Sequence, residues 1–282
     1  VRLSPDGFTV VDAKQLVGGF DDPLPLVEGP GGVLYVGEFG GNKVTALVQD
    51  VPDSGPTGGW ETKAPGPASL LDVGGAALDG KLYVVAGKTS SNPQRTMYIY
   101  DPALDAWSQG PSLPNEYPAV ENPAVVAYDG KLYVFGGSSG PFSGATASAA
   151  VFDPSTESWT MLAPMATARG GPMAQAVGSL IYVAGGLSSS GASLASVEVY
   201  DPATNTWSAA PPMQTPRDNA GSAVLGGKFY VFGGRTRDSN GSEIDGTLAS
   251  VEMFDPDTQT WTFRASMPTG RRVPVVGLLN GR

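Results

Sequence analysis

The strongest constraint on the fold is a phrase that returns every 48 to 50 residues. The fragments Leu34-Tyr35-Val36, Leu82-Tyr83-Val84, Leu132-Tyr133-Val134, Ile181-Tyr182-Val183 and Phe229-Tyr230-Val231 set their tyrosines 48, 50, 49 and 48 residues apart. One tryptophan follows each of them: Trp60, Trp107, Trp159, Trp207 and Trp261, all five in the chain. A period of this length marks a supersecondary unit whose apolar face is buried only against its neighbours.

The turn chemistry inside one repeat gives the elements. Pro123 to Ala127 is a short apolar run, and Asp129-Gly130 favours a tight hairpin. Lys131 to Phe135 alternates and stops at Gly136-Gly137. A polar loop, Ser138 to Ser148, leads to a strand at Ala150 to Phe152, which Asp153-Pro154 closes because proline cannot donate to a ladder. A turn over Ser155 to Ser158 then brings in Trp159 to Met161. This predicts four short strands per repeat and no helical period. The aromatic-Asp-Pro step recurs at Tyr100, Phe152, Tyr200 and Phe254, each with tryptophan six residues after the aspartate.

A glycine doublet after a Tyr-Val strand, then aromatic-Asp-Pro, then tryptophan, resembles the Kelch repeat. The resemblance runs from about residue 23 to 282; in the first repeat the doublet, Gly40-Gly41, comes late and aromatic-Asp-Pro is missing. It implies an all-β fold, a β-propeller of four-stranded antiparallel blades. We expect one domain over 1–282, with repeats at 21–65, 66–115, 116–165, 166–215 and 216–270. A sixth, composite blade is expected from about 1–20 and 271–282, joining the ring from both termini. The alternative is a seven-bladed ring within a longer parent chain.

Composition removes several chemistries. The chain has no cysteine and no histidine, so thiol chemistry, histidine bases and the usual copper and zinc ligands are missing. A net charge of −10 argues against a nucleic-acid partner. No 18-residue apolar run predicts a membrane span. Low lysine with abundant small residues suggests an extracellular or cell-surface setting in a bacterium.

The loops over a propeller's channel are the place for a ligand. Counting back 13 residues from each repeat tyrosine gives Asp22, Leu70, Val120, Arg169 and Arg217, with Arg271 for the composite blade. Arg169, Arg217 and Arg271 can converge there and hold a carboxylate. They can equally bond loop carbonyls and neighbouring carboxylates. Asn122 and Asn219 lie beside them, and Tyr117 and Phe142 are loop aromatics able to stack on a partner. Asp238, Asn240, Glu243 and Asp245 alternate in the longest loop and form a weak Ca²⁺ candidate without the full EF-hand spacing; no other cofactor is expected.

The reading that follows is a non-catalytic module binding a protein or glycan through its loop face. The family resemblance supports this through Kelch domains that grip acidic peptides. The alternative is a sugar-active enzyme of the sialic-acid mutarotase type, or a hydrolase or lyase, with Glu121 and Asp218 as acid and base.

Overall fold

A computed structural model describes residues 62–90, 92–140, 143–274 and 276, apart from the side chain of Asp245. Before these it describes only the backbone of strands Arg2–Leu3, Val10–Asp12, Val27–Glu28, Leu34–Glu38, Lys43–Leu47 and Trp60–Thr62. The described chain is all β, and its framework is a series of four-stranded antiparallel sheets whose strands pair in sequence order.

Blade 1 consists of Val27–Glu28, Leu34–Glu38, Lys43–Leu47 and Trp60–Thr62. Blade 2 consists of Gly74–Leu78, Lys81–Val85, Met97–Asp101 and Ala106–Gly110. Blade 3 consists of Ala124–Tyr128, Lys131–Phe135, Ala149–Asp153 and Ser158–Met161. Blade 4 consists of Met173–Val177, Leu180–Ala184, Val197–Asp201 and Thr206–Ala210. Blade 5 consists of Gly221–Leu225, Lys228–Phe232, Val251–Asp255 and Thr260–Arg264. The first strands of successive blades contact one another, so they form the innermost layer.

The core lies between blades. One apolar layer joins Val85 and Met97 of blade 2 to Leu132 and Phe152 of blade 3. A second joins Phe135 and Ala149 to Ile181 and Tyr200, and a third joins Tyr182 and Val197 to Phe229 and Phe254. In blades 2 to 5 each tryptophan ties its blade to the one before it. Its ring lies 5.0 to 5.2 Å from the aromatic of the aromatic-Asp-Pro step on its own blade. Its indole N–H donates to a carbonyl at the exit of the preceding blade: Trp107 to Ala64, Trp159 to Pro111, Trp207 to Ala163 and Trp261 to Pro211. An indole packed into an inter-blade seam keeps its N–H satisfied by such an acceptor, and blades 2 to 5 each have one.

The glycine doublets mark the closest approach between blades. A Cβ on Gly136, at φ +65°, would stand 2.4 Å from the carbonyl oxygen of Arg169 in the next blade's entry loop. Gly137 then donates its N–H to that same carbonyl.

After blade 5 the chain continues the pattern. Pro274 and Val276 lie against Gly221 of blade 5 as Pro123 and Val125 lie against Gly74 of blade 2. Pro274 and Val276 therefore occupy the place where a further innermost strand begins. The remainder of the expected composite blade falls outside the described residues, except that Arg2–Leu3 pairs antiparallel with Val10–Asp12.

The loops between the second and third strands are not plain spacers. Short hairpins form at Lys88–Thr89 with Asn92–Pro93, Ser138–Gly140 with Ser143–Ala145, and Arg235–Arg237 with Glu243–Thr247. Single bridges link them to the entry loop of the next blade, Gln94 to Val120 and Thr146 to Arg169, and to that of their own, Glu121 to Ser138 and Asp218 to Arg235. This layer surrounds the mouth of the channel.

Candidate functional site

Three repeat positions build the channel mouth. The first follows the glycine doublet and holds Lys88, Ser138, Leu187 and Arg235. The second is bridged to it and holds Leu71, Glu121, Gly170 and Asp218. The third holds Asp72, Asn122, Gly171, Asn219 and Val273, every one at a positive φ between 49° and 59°. Their backbones form a relay around the axis. Asn122 N–H donates to the Asp72 carbonyl at 2.5 Å, Gly171 to Asn122 at 3.0 Å, Asn219 to Gly171 at 3.3 Å and Val273 to Asn219 at 2.8 Å. The left-handed conformation turns each N–H toward the preceding blade. Asparagine, aspartate and glycine accept it readily; a β-branched valine does not, so the relay outweighs its local strain.

Beside this relay lies a pocket of about 250 Å³, lined from all three positions and by Arg272. The backbone is the same from blade 2 to blade 5, yet the side chains differ from blade to blade. On the side of blades 2 and 3, the Lys88 ammonium lies 2.7 Å from Asp72 Oδ2 and 2.7 Å from Glu121 Oε2. Burial pulls the Lys88 pKa down, but the hydrogen bonds and charges of the two carboxylates outweigh it, and the group titrates above the ordinary lysine range. On the side of blade 5, Arg235 Nε donates to Asp218 Oδ1 at 2.9 Å. Asp218 is fully buried and also accepts from Ser193 Oγ at 2.7 Å and Asn219 Nδ2 at 3.0 Å. Arg235 is 6% exposed, and its two terminal nitrogens have no hydrogen-bond partner among the described residues.

Arg169 and Arg217 do not line this pocket. Both are fully buried, and all five N–H donors of each are occupied. Arg169 bonds Glu198 through Nε and Nη2, the Gly185 and Ser196 carbonyls through Nη1, and Ser196 Oγ through Nη2. Arg217 repeats the set one blade on, with Thr215, Gly233, Ser250 and Glu252. The glutamates complete the staple by accepting entry-loop backbone N–H groups, from Ala166 and Thr167 at Glu198 and from Gln214 and Thr215 at Glu252. Burial pulls both guanidiniums below the ordinary arginine range, against the pairing with glutamate. No donor of either is left for a ligand. Arg271 has the same backbone pairing, its N–H to Leu248 and its carbonyl to Gly234, but its side chain is exposed.

Tyr117 is not a surface aromatic. It is fully buried, and its hydroxyl donates to the Gly136 carbonyl at 2.8 Å. That carbonyl is the equivalent of Gly185 and Gly233, which the arginines hold in blades 4 and 5. Tyr117 therefore does the arginine's work in blade 3, where the arginine and glutamate positions are Val120 and Ala150. Burial drives its phenol well above its usual range. Phe142 lies outside the described residues.

Glu121 and Asp218, expected as acid and base in the enzymatic alternative, both stand at the mouth, each held in an ion pair. Asn122 and Asn219 line the pocket as expected. The Ca²⁺ candidate is a hairpin tip. Asp238 Oδ1 accepts the N–H groups of Asn240 and Ser242, each at 2.9 Å, and Glu243 faces Arg237 at 3.9 Å. The side chain of Asp245 lies outside the described residues. Among the described residues no three acidic side chains gather as a metal ion would need.

Sequence reasoning missed Lys88 and Arg235 as pocket residues. The available signal was position: both directly follow the second residue of the doublet, where Ser138 and Leu187 stand in the other blades.

Four-stranded blades tied by tryptophan, joined by a backbone relay and topped by a divergent mouth define a repeat-built β-propeller. The chain belongs to the Kelch-repeat family. Residues 122–276 match the KLHDC2/KLHL20/DRC7 Kelch-repeats domain, and residues 70–114 match the Kelch motif. Kelch-like protein 15 of Danio rerio is 34% identical over 149 residues, 47% of this chain and 25% of that protein. The F-box/kelch-repeat protein At1g67480 of Arabidopsis thaliana is 37% identical over 130 residues, 44% of this chain and 33% of that protein. The matches thus span a quarter to a third of these relatives' length. The solved structure of YjhT shares the fold, with a TM-score of 0.77 at 16% identity over 91% of this chain and 86% of that one.

Proposed function

We propose that this propeller is a protein-interaction module that takes an acidic group of its partner at the arginine side of the channel mouth. Arg235 carries the reading. Its Nε is fixed by a buried carboxylate, the residue lines the pocket, and its terminal nitrogens have no partner among the described residues. A guanidinium held this way presents a fork that fits a carboxylate or phosphate. Arg235 and Arg272 both act electrostatically on Arg237, with the carboxylates of Asp218 and Glu243 acting against them.

The test is an array of acidic and neutral peptides, with acidic glycans included, probed with the wild type and with Asp218→Asn/Arg235→Gln. The double variant replaces the ion pair by a neutral hydrogen-bonding pair, with the glutamine amide nitrogen where Nε stood, so no buried charge is left unpaired. Acidic peptides that bind the wild type and not the double variant are the expected result. Capture of neutral peptides only, or acidic binding that survives the double variant, overturns the reading. Binding confined to glycans replaces the protein partner with a sugar acid.

A further inference from the structure

The hairpin that carries Arg235 turns through Asp238 to Ser242, with Asn240-Gly241 at its tip. We infer that Asn240 is a modification site, which deamidates spontaneously to isoaspartate and so weakens the anion site carried on the same hairpin. The second half of the inference rests on the proposed anion site; the first half does not.

Loss of an asparagine amide needs a side chain that is free to turn, a following N–H that can reach it, and little bulk on that following residue. The described asparagines differ in all three. Asn92 and Asn122 precede Pro93 and Pro123, which have no N–H. Asn205 precedes the β-branched Thr206, and its Oδ1 is held by the Tyr200 hydroxyl and the Ala163 N–H. Asn219 precedes Ala220 and gives its amide to the buried Asp218. Asn115 precedes Glu116. Among the described asparagines, only Asn240 is followed by glycine. It is exposed, and its side chain has no hydrogen-bond partner among the described residues. A Cβ on Gly241 would meet nothing within 4 Å, so the approach is open.

The Gly241 nitrogen attacks Asn240 Cγ. A bond from nitrogen to Cγ forms, the Cγ–Nδ2 bond breaks, and ammonia leaves with the proton that the backbone amide gives up. Water then opens the five-membered ring. Attack at Cγ yields aspartate; attack at the main-chain carbonyl yields isoaspartate, with the chain rerouted through the side chain. The net change is amide plus water to carboxylate plus ammonium, which adds one negative charge to the protein.

The turn sets the rate. Gly241 N–H donates to the Asp238 carbonyl at 3.0 Å, and Asp238 Oδ1 accepts from the Asn240 and Ser242 N–H groups, each at 2.9 Å. The attack needs the first bond opened, and an exposed tip opens at little cost. The outcome reaches the mouth through Arg237. Its Nη1 donates to the Gly241 carbonyl, and Arg235 acts on it electrostatically. Isoaspartate inserts one more backbone atom ahead of that carbonyl and adds a carboxylate to the turn that anchors Arg237.

The full chain is held in mildly alkaline buffer and read by peptide mass mapping with isoaspartate labelling. The map separates Asn240 from Asn280-Gly281, which lies outside the described residues. Acid should accumulate at Asn240 at least about tenfold faster than at Asn205. Asp238→Ala, which loosens the turn, should raise the rate about threefold or more. The aged wild type should bind an acidic peptide from the array at least about threefold more weakly at low ionic strength, and aged Asn240→Ser should bind it as before. A rate at Asn240 no higher than at Asn205 overturns the site. An unchanged rate in Asp238→Ala overturns the part given to the turn. Modified protein with unchanged affinity overturns the regulation and leaves the modification standing. If no acidic peptide binds the fresh wild type, the anion site falls and the regulation with it, while the mass map still decides the modification.

Discussion

Arg217 and Arg235 lie in neighbouring segments of blade 5, yet they serve opposite ends. Arg217 belongs to the repeat. It recurs as Arg169, meets the same carbonyl and the same glutamate position, and has every donor engaged. Arg235 occupies a position where blades 2, 3 and 4 have lysine, serine and leucine, and of its side-chain nitrogens only Nε is engaged among the described residues. In a protein built from copies, recurrence marks what the fold needs. A residue that changes from copy to copy on an unchanged backbone is released from that need. The site is found by looking for divergence within constancy, the reverse of the usual search for a recurring motif.

The comparison is broken most severely by attacking the staple. Arg217→Ala leaves Glu252, fully buried, without its counter-ion. A loss of about 3–5 kcal/mol is expected in urea unfolding, as for other buried pairs cut on one side. A loss below about 1 kcal/mol would place Arg217 with the surface ion pairs instead.

Tyr117→Phe asks whether a phenol truly replaces the arginine in blade 3. It removes the one hydroxyl on the Gly136 carbonyl, and the expected cost is about 1–3 kcal/mol, read by the same unfolding curve. An unchanged midpoint would separate blade 3 from the stapled blades. Gly136→Ala forces a side chain into positive φ against the Arg169 carbonyl, and about 1–3 kcal/mol of strain should appear as a lower unfolding midpoint.

The smallest effect lies on the surface. Hydrogen bonds from Ser155 and Lys131 hold the Asp153 carboxyl down at about 2. A carboxyl lowered on folding stabilises the fold above its unfolded value, near 3.9, and that contribution fades as pH falls through the folded value. An NMR titration of the Asp153 side chain should therefore stay flat from pH 7 to about 4 and move only near 2. A midpoint near 3.9 would mean that the Lys131 and Ser155 contacts do not persist in solution.

Much of the framework could be read from residue order. The doublet, the Asp-Gly hairpin and the aromatic-Asp-Pro step each dictate a backbone event, and the strands fall where those events put them. The tryptophan's inter-blade hydrogen bond follows from its once-per-repeat placement. The arginines were harder, because their partners lie 29 and 35 residues further on in another strand. A trace was present. Where the arginine stands, at 169 and 217, the third strand carries Glu198 and Glu252; where Leu70 and Val120 stand, it carries Tyr98 and Ala150. That pairing within the repeats distinguishes staple from ligand site without coordinates. Tyr117 left no such trace, because it lies outside the repeat pattern and enters the staple from a different loop position.

The most direct measurement compares the two arginines on one acidic peptide taken from the array. Arg169→Gln and Asp218→Asn/Arg235→Gln are each assayed for urea midpoint and for peptide affinity under conditions where both remain folded. The account predicts a lowered midpoint with affinity retained for Arg169→Gln. For the double variant it predicts a midpoint near wild type with affinity lost by about tenfold or more, since a charge-assisted fork is removed. Affinity lost in Arg169→Gln and kept in the double variant would contradict it.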